Sequence, residues 1–237
     1  MIRNFTPSSL KIRLHVLKNT LVDFLKGYTF SFARKRTKIE AHTKAFSITQ
    51  DLKSNEFKKQ NIITAKSFIE PITILPNEIF SFWKIVGKPS EKRGFVKSRS
   101  LINGQTIESF GGGLCQLSGL IYLTSIYCGL EILERYNHSV DIYDETTRYM
   151  PLGGDAAVAY GYKDLKIRNN LKKSISFKIV TKEDKVSVEI QHPDKIKLNL
   201  VDFVITKQNT DIKVVDTLIN SKRIVTSTYK NTAPNNG

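Results

Sequence analysis

The run Ser109-Phe110-Gly111-Gly112-Gly113-Leu114-Cys115-Gln116-Leu117-Ser118 constrains this chain more than any other stretch. Glycine lets the backbone take positive φ and lets another segment approach closely. The run leads straight into helical apolar spacing over Gln116 to Cys128, with Leu117, Leu120, Ile121, Thr124 and Cys128 on one face. Gly129 suits the end of that helix. Any fold of the chain must therefore set a tight glycine turn against a helix N-terminus with Cys115 in the first turn. Unpaired N–H groups and the positive end of the helix dipole favour a thiolate there. Two readings stay open on local sequence alone: a nucleophile, or a glycine turn in front of a buried, inert thiol. Burial and neighbours decide between them.

The second cysteine, Cys128, lies thirteen residues on. On one helix that is roughly 20 Å, far beyond disulfide reach. It is expected to pack as a small apolar residue. No Cys/His grouping has the spacing of a zinc site, and neither a metal nor a cofactor is expected. His15, His42 and His192 stand alone in polar surroundings and read as surface residues.

The 237 residues suit one domain with appendages. The net charge of +15 is unevenly spread: residues 1–60 carry +9, 61–160 carry −1 and 161–237 carry +7. The cysteine region is almost neutral and its flanks are basic. Basic flanks attract polyanions, or simply solvate the surface. Nothing resembles a nucleic-acid recognition element, so no specific nucleic acid is expected.

The periodicity divides the chain into a basic amphipathic N-terminal region (1–54), a central domain (55–192), a β-rich extension (193–231) and a disordered tail (232–237). In the first, Leu10, Leu14, Leu17, Leu21, Phe24, Leu25 and Tyr28 fall near helical spacing, with lysines and arginines on the other side. This helix either packs on the domain or lies on an anionic membrane surface through residues 10–36. No stretch reads as a signal peptide or a membrane span. The expected location is cytoplasmic or at the membrane periphery, or in the cell envelope by another route.

Asn55 to Ile69 predicts a second helix, with Phe57, Asn61, Ile62, Ala65 and Ile69 along one side. Ile79 to Trp83 predicts a short strand or turn entry, and Gly87 to Gly94 a loop. Leu130 to Arg135, Val140 to Tyr143, Ala156 to Tyr162, Leu165 to Asn169, Ile175 to Val180 and Val186 to Ile190 predict strands, and the tail from Lys197 to Tyr229 continues in strand-like alternation. The expected fold class is α+β, a helix-borne Cys packed on an antiparallel sheet, with a β-rich C-terminal part.

A glycine loop, a Cys on a helix, a His on a strand and an Asp on a neighbouring strand resemble the plan of papain-like and transglutaminase-like cysteine enzymes. The catalytic candidates are Cys115 as nucleophile, His138 as base and Asp155 as the carboxylate that orients the imidazole. Asn137, Asp141 and Asp144 are alternative orienters. Gly111, Gly112, Gly113, Gln116 and Trp83 are the substrate-binding candidates, with the Gln116 amide and nearby backbone N–H groups set to stabilise an oxyanion.

At these residues the chain resembles the VanW family. The pieces that carry the resemblance are Phe80-Ser81-Phe82-Trp83, Gly111 to Ser118, Glu134-Arg135 with His138, Gly154-Asp155-Ala156-Ala157-Val158 and Gly161 to Asn169, in order over roughly residues 60–190. The resemblance implies a link to the cell envelope and to glycopeptide resistance. It also implies an L,D-transpeptidase-like or amidase-like reaction on peptidoglycan peptides or precursors through the motif cysteine. A non-catalytic module that binds envelope precursors, with Cys115 merely packed, is the main alternative. A cysteine hydrolase acting on some other amide is a third.

Overall fold

The computed structural model describes residues 8–35, 43–52, 55–102, 105–141 and 150–231. In chain order the elements are α1 (Ser8–Leu25), β1 (Arg34–Lys35), β2 (Thr43–Asp51), α2 (Glu56–Ile69), β3 (Ile72–Thr73), β4 (Ile79–Ser81), α3 (Phe82–Val86), β5 (Lys97–Ile102), β6 (Gln105–Phe110), α4 (Leu114–Tyr127), β7 (Glu131–Glu134), β8 (Val140–Asp141), β9 (Lys166–Arg168), β10 (Ser176–Lys182), β11 (Lys185–His192), β12 (Val201–Gln208), β13 (Ile212–Ile219) and β14 (Lys222–Asn231). The fold is mixed α+β with a β-rich C-terminal part. Asp144 and the tail from 232 lie outside the described residues, as do the last two residues of the strand expected over Val140 to Tyr143.

Helix α4 is the centre of the core. Twelve of its residues, from Leu114 to Ile126, are buried. The single apolar face expected from periodicity is thus only part of the buried surface. The antiparallel sheet β10-β11-β2 covers one side, and α2 and β7 cover others. A helix enclosed on all sides is apolar all round. Two of its hydroxyls are satisfied within the helix: Thr124 Oγ1 donates to Leu120 O and Ser125 Oγ to Ile121 O. Cys128 caps the helix and is buried, as its spacing predicts.

Helix α2 starts at Asn55, whose side chain accepts from Lys58 N. It buries Asn61, Ile62, Ala65 and Ile69, but Phe57, in the exposed first turn, points to solvent. Asn61 is wholly buried because it replaces a stretch of backbone pairing. Its amide donates to Gly112 O and Val96 O, each at 3.1 Å, and its oxygen accepts from Val96 N at 2.9 Å. One side chain thereby ties the glycine loop to α2. Ser81 ends β4 and caps α3 through Lys84 N, so the segment expected as a short strand divides into a strand and a helical turn.

The structure departs from the sequence reading in several places: His192, read as a surface residue, is buried. Residues 43–51, not read as a strand, form β2 and pair with β11 along its whole length. Residues 156–162, expected as a strand, are irregular apart from one bridge between Ala159 and Lys163. Helix α1 meets the domain through Ile12, Val16, Asn19 and Asp23, while its leucines stay exposed.

The C-terminal strands form the sheet β12-β13-β14-β8. Strand β8 runs parallel to β14, with Val140 opposite Lys230. Lys230 N also donates to Ser139 O at 2.9 Å. The far end of the chain is thereby bonded next to His138.

At the glycine turn, Gly111 and Gly113 take φ of +89° and +95°. A Cβ on Gly113 would stand 3.1 Å from Lys58 Cβ and 3.2 Å from its carbonyl oxygen. Both conformation and space therefore require glycine. Gly113→Ala is expected to lower unfolding free energy by about 1–3 kcal/mol. Gly27→Ala, at positive φ but with nothing within 4 Å, pays only the conformational part, about 1 kcal/mol. Urea denaturation of the two variants beside wild type checks the ordering.

Candidate active site

The chemistry of the site begins with where α4 begins. Gly113 is its N-cap, so Cys115 sits in the first turn. There the N–H groups have no intrahelical acceptor. Two small residues further along, Ser118 and Gly119, let the segment from Met150 to Val158 lie against the helix. Ser118 Oγ donates to Ala156 O at 2.6 Å, and Gly119 faces Met150 and Ala156 N. The thiol of Cys115 reaches Val158 O at 3.5 Å. The helix thus takes up backbone acceptors that a strand partner would otherwise hold, which is why residues 156–158 do not form a strand.

That segment carries Asp155 to His138. Asp155 Oδ2 accepts from the His138 backbone N–H at 2.7 Å and lies 2.6 Å from His138 Nδ1. Ala157 N donates to Tyr136 O at 2.7 Å, which fixes the two segments in register. His138 also hydrogen-bonds the Cys115 side chain. With Nδ1 held by Asp155, Nε2 is the nitrogen left for the thiol. The structure therefore brings Cys115, His138 and Asp155 into one hydrogen-bonded chain. His138 and Asp155 lie on connections rather than on strands, and the sheet behind α4 carries neither. The sheet-borne His and Asp of the papain-like plan are absent from this geometry.

Two further residues hold Asp155, and both escaped the sequence reading. Arg135 is 4% exposed and lies 2.8 Å from Asp155 Oδ1. It also donates to the carbonyls of Asp155 and Gly153 and to Ser227 Oγ. Tyr229, on β14, donates to Asp155 Oδ1 at 2.6 Å and accepts from Gly153 N at 2.8 Å. Arg135 belongs to a quoted motif piece, which was its only signal. Tyr229 stands 74 residues from Asp155 in an alternating strand and carried none.

Among the alternative orienters, Asn137 donates to His138 O and Thr228 O, and Asp141 pairs with Lys213 at 3.1 Å. Neither is on the imidazole. Gln116 is buried with its amide turned to Asp51 O at 2.8 Å and toward Gln50, so it ties α4 to β2 rather than facing the thiol. Gly112 is buried behind the loop, where Asn61 holds its carbonyl.

A cavity of about 470 Å³ opens over Cys115 and His138. Gly111 and Trp83 line it, and Gly112, Gly113 and Gln116 do not. Trp83 is set by its indole N–H donating to Lys163 O at 2.7 Å, and it meets Tyr160 edge-on at 5.7 Å between ring centres. Below it, Asp164 accepts from Ser81 Oγ and Trp83 N. Burial raises its carboxyl to about 6, against the pull of those two donors. Lys88 and Lys163 bring positive charge to the cavity, and among the described residues its lining includes no Asp or Glu. Among the described residues no three His, Cys, Asp or Glu side chains group to hold a metal ion.

The electrostatics follow from the same contacts. Burial alone would raise the Cys115 thiol, but the hydrogen bond and charge of His138 outweigh it and pull the group below the ordinary 9.0. Burial would lower His138, but hydrogen bonds to Asp155 and Cys115 lift it to about 10. Burial would raise Asp155, and its bond to His138 together with the Arg135 charge brings it down to about 2. The two shifts act in opposite senses on the pair, so thiolate and imidazolium coexist from the lowered thiol value up to about pH 10. A thiolate beside an imidazolium is a ready nucleophile with a proton donor next to it. Cys128 has no such partner, and burial pushes it up to about 12.

Iodoacetamide should therefore alkylate Cys115 rapidly at neutral pH, with a rate profile whose midpoint lies below 9.0, and spare Cys128. In His138→Ala the burial remains and the compensating charge is gone, so the midpoint should move up. Intact-mass kinetics across pH check both. Arg135→Ala leaves Asp155 buried without its cation and should cost about 3–5 kcal/mol of stability, read from thermal or urea unfolding.

Comparison with known proteins places this geometry in a family. The model of the VanW like protein family matches residues 57–191, which include Cys115, Arg135, His138 and Asp155. Tyr229 and α1 lie outside the match. The uncharacterized protein YoaR of Bacillus subtilis (strain 168) is 31% identical over 122 residues, 52% of this chain and 39% of that protein. The vancomycin B-type resistance protein VanW of Enterococcus faecalis (strain ATCC 700802 / V583) is 31% identical over 120 residues, 51% of this chain and 44% of that protein. The aligned part thus spans about two fifths of each of these curated relatives. No solved structure matches the chain. With more than half of its residues matched by the family model, including the whole glycine–cysteine turn and the His138–Asp155 pair, the chain belongs to the VanW family.

Proposed function

We propose that the chain is a thiol-dependent acyl-transfer enzyme acting on peptide amides of peptidoglycan or its precursors. The observation that carries the reading is the hydrogen-bonded chain Cys115–His138–Asp155 at the floor of an open cavity. The Cys115 thiolate attacks the acyl carbon of a peptide, forming a C–S bond and an oxyanion. First-turn N–H groups of α4 are the available donors to that oxyanion. The imidazolium gives its Nε2 proton to the departing amine as the C–N bond breaks, leaving a thioester. An incoming amine or water then attacks the thioester carbon, His138 takes its proton, and the thiolate is released. An amine acceptor yields a crosslink and water yields hydrolysis. Asp155 keeps Nδ1 protonated and the ring turned throughout.

The substrate class rests on two things. The cavity has an aromatic wall, Trp83 and Tyr160, and cations from Lys88 and Lys163, a lining suited to a peptide that bears free carboxylates. One relative is named for vancomycin resistance, and the resemblance to that family carries the expectation of a cell-envelope substrate.

The test incubates the protein with peptidoglycan stem peptides, with and without an acceptor amine, and follows acyl-enzyme mass and product. Wild type should form a thioester adduct. Cys115→Ser should form none, because a serine hydroxyl is not ionised near neutral pH and a thiolate site activates it poorly. His138→Ala should lose about 10²–10⁴-fold in rate. Asp155→Asn should lose less, since an orienting group is easier to do without. Equal turnover by Cys115→Ser would overturn the thiol-dependent reading, and no adduct or turnover with wild type would overturn catalysis and leave a binding module in its place.

A further inference from the structure

The first helix is attached to the domain by the side that its sequence makes least apolar. Ile12 and Val16 pack on Gly161, where a Cβ would come within 3.4 Å of both. Asn19 donates to Gly161 O at 3.0 Å. Asp23 is buried and pairs with Lys166 at 2.5 Å and with Lys84 at 3.8 Å. At about 100° per residue these four side chains centre on one line of the helix. Leu10, Leu14, Leu17, Leu21, Phe24 and Leu25 occupy a stripe about 100° wide on the opposite line. They are 43–74% exposed, although they are the bulkiest apolar groups of the helix.

The borders of this stripe are cationic. Lys11 and Lys18 follow it on one side and Arg13 on the other, each within about 40° of its edge. The helix has one acid, Asp23, and that acid is turned inward to Lys166. Lys26, Phe30 at 83% exposure, Arg34 and Lys35 continue the same character past the helix end. The outward face therefore presents only apolar and cationic groups. Among the described residues no helix is long and apolar enough to cross a membrane.

We propose that α1 lies in the plane of an anionic phospholipid bilayer, its leucine stripe among the acyl chains and Lys11, Lys18 and Arg13 at the headgroups. Apolar burial supplies the attachment and the flanking cations select negative lipid. The occupant follows from charge complementarity: cations border the apolar stripe on both sides, as a layer of anionic headgroups over acyl chains requires, whereas a second copy of this helix would set its cations against one another. Ile12 belongs both to the attached side of α1 and to the wall of the Cys115 cavity, so this docking holds the cavity beside the bilayer. The proposal does not depend on the reaction assigned to Cys115.

The experiment is sedimentation of the full chain with vesicles of phosphatidylcholine alone or mixed with phosphatidylglycerol. Binding should be at least about tenfold tighter to the anionic vesicles and should weaken as salt rises. The triple variant Leu14→Asp, Leu17→Asp, Leu21→Asp should lose binding by more than about tenfold, since it places charge in the apolar stripe. These side chains are exposed, so the fold should survive, as checked by circular dichroism and an unchanged Cys115 alkylation rate. The double variant Lys11→Gln, Lys18→Gln should bind more weakly and with a shallower salt dependence. No binding at low salt overturns the proposal, as does equal binding to both vesicles. Concentration-dependent dimerisation in solution that the triple variant abolishes, without lipid binding, assigns the face to a second copy and overturns it as well.

Discussion

The Asp155 carboxylate is the point on which the site depends. It receives the His138 backbone N–H and ring on one oxygen, and Arg135 and Tyr229 on the other. A buried carboxylate is costly unless each oxygen is hydrogen-bonded, and a buried guanidinium is costly unless it is paired. Here the two meet those needs together. The partners come from two distant parts of the chain, the segment after β7 and the last strand. Forming this one cluster therefore closes the C-terminal sheet onto the central domain and leaves the imidazole a single orientation. The family match ends at residue 191, so in this chain β14 adds support from outside the shared region.

The second constraint is steric and belongs to α4. A helix buried on every side has no room for a loop to approach unless its side chains are small where the loop crosses. Ser118 and Gly119 provide that crossing, and Gly111 and Gly113 let the preceding turn fold back under Pro89 and Lys58. The cysteine gains its partners because of these absences of side chain. A larger residue at 119 would displace Met150 and the backbone near Ala156, and with them the carboxylate that orients His138.

How much of this was legible in the sequence depended on whether local pattern carried the information. The helices α2 and α4 and the strands from β9 to β11 follow from spacing, and the structure has them. The juxtaposition of Cys115, His138 and Asp155 was readable because a motif delivers all three in order. The string from Ala156 to Tyr162 read as a strand because it is apolar, and its first three residues are buried. Its backbone partners are nonetheless side chains and turns, namely Ser118 Oγ, Cys115 Sγ and Tyr136 O. Strand β2 was invisible for the converse reason. All but one of its residues are half-buried or exposed, so it lacks a strong alternation, and its identity comes from pairing with β11. Tyr229 needed a contact across the whole molecule. In α1 the amphipathic pattern was plain, but which side the domain would take was decided by Asp23 meeting Lys166.

The charge arrangement around Cys115 shows why a thiolate is tolerable in so enclosed a place. Along the chain of contacts the groups alternate: thiolate, imidazolium, carboxylate, guanidinium. Their sum is zero, and each negative group stands between or beside positive ones. In a medium of low effective dielectric an isolated thiolate would take up a proton, as Cys128 does with its value at about 12. The same burial at Cys115 is reversed by one neighbour, and that neighbour keeps its charge only because Asp155 keeps its own. Asp155 in turn is held ionised by Arg135 and by a phenol, Tyr229, that burial and the carboxylate keep protonated and donating. The lowered value of the Cys115 thiol thus traces back through His138 and Asp155 to Tyr229 on β14. The helix dipole that first drew notice to Cys115 is an addition to this relay, since a first-turn position is worth well under the charge of a paired imidazolium.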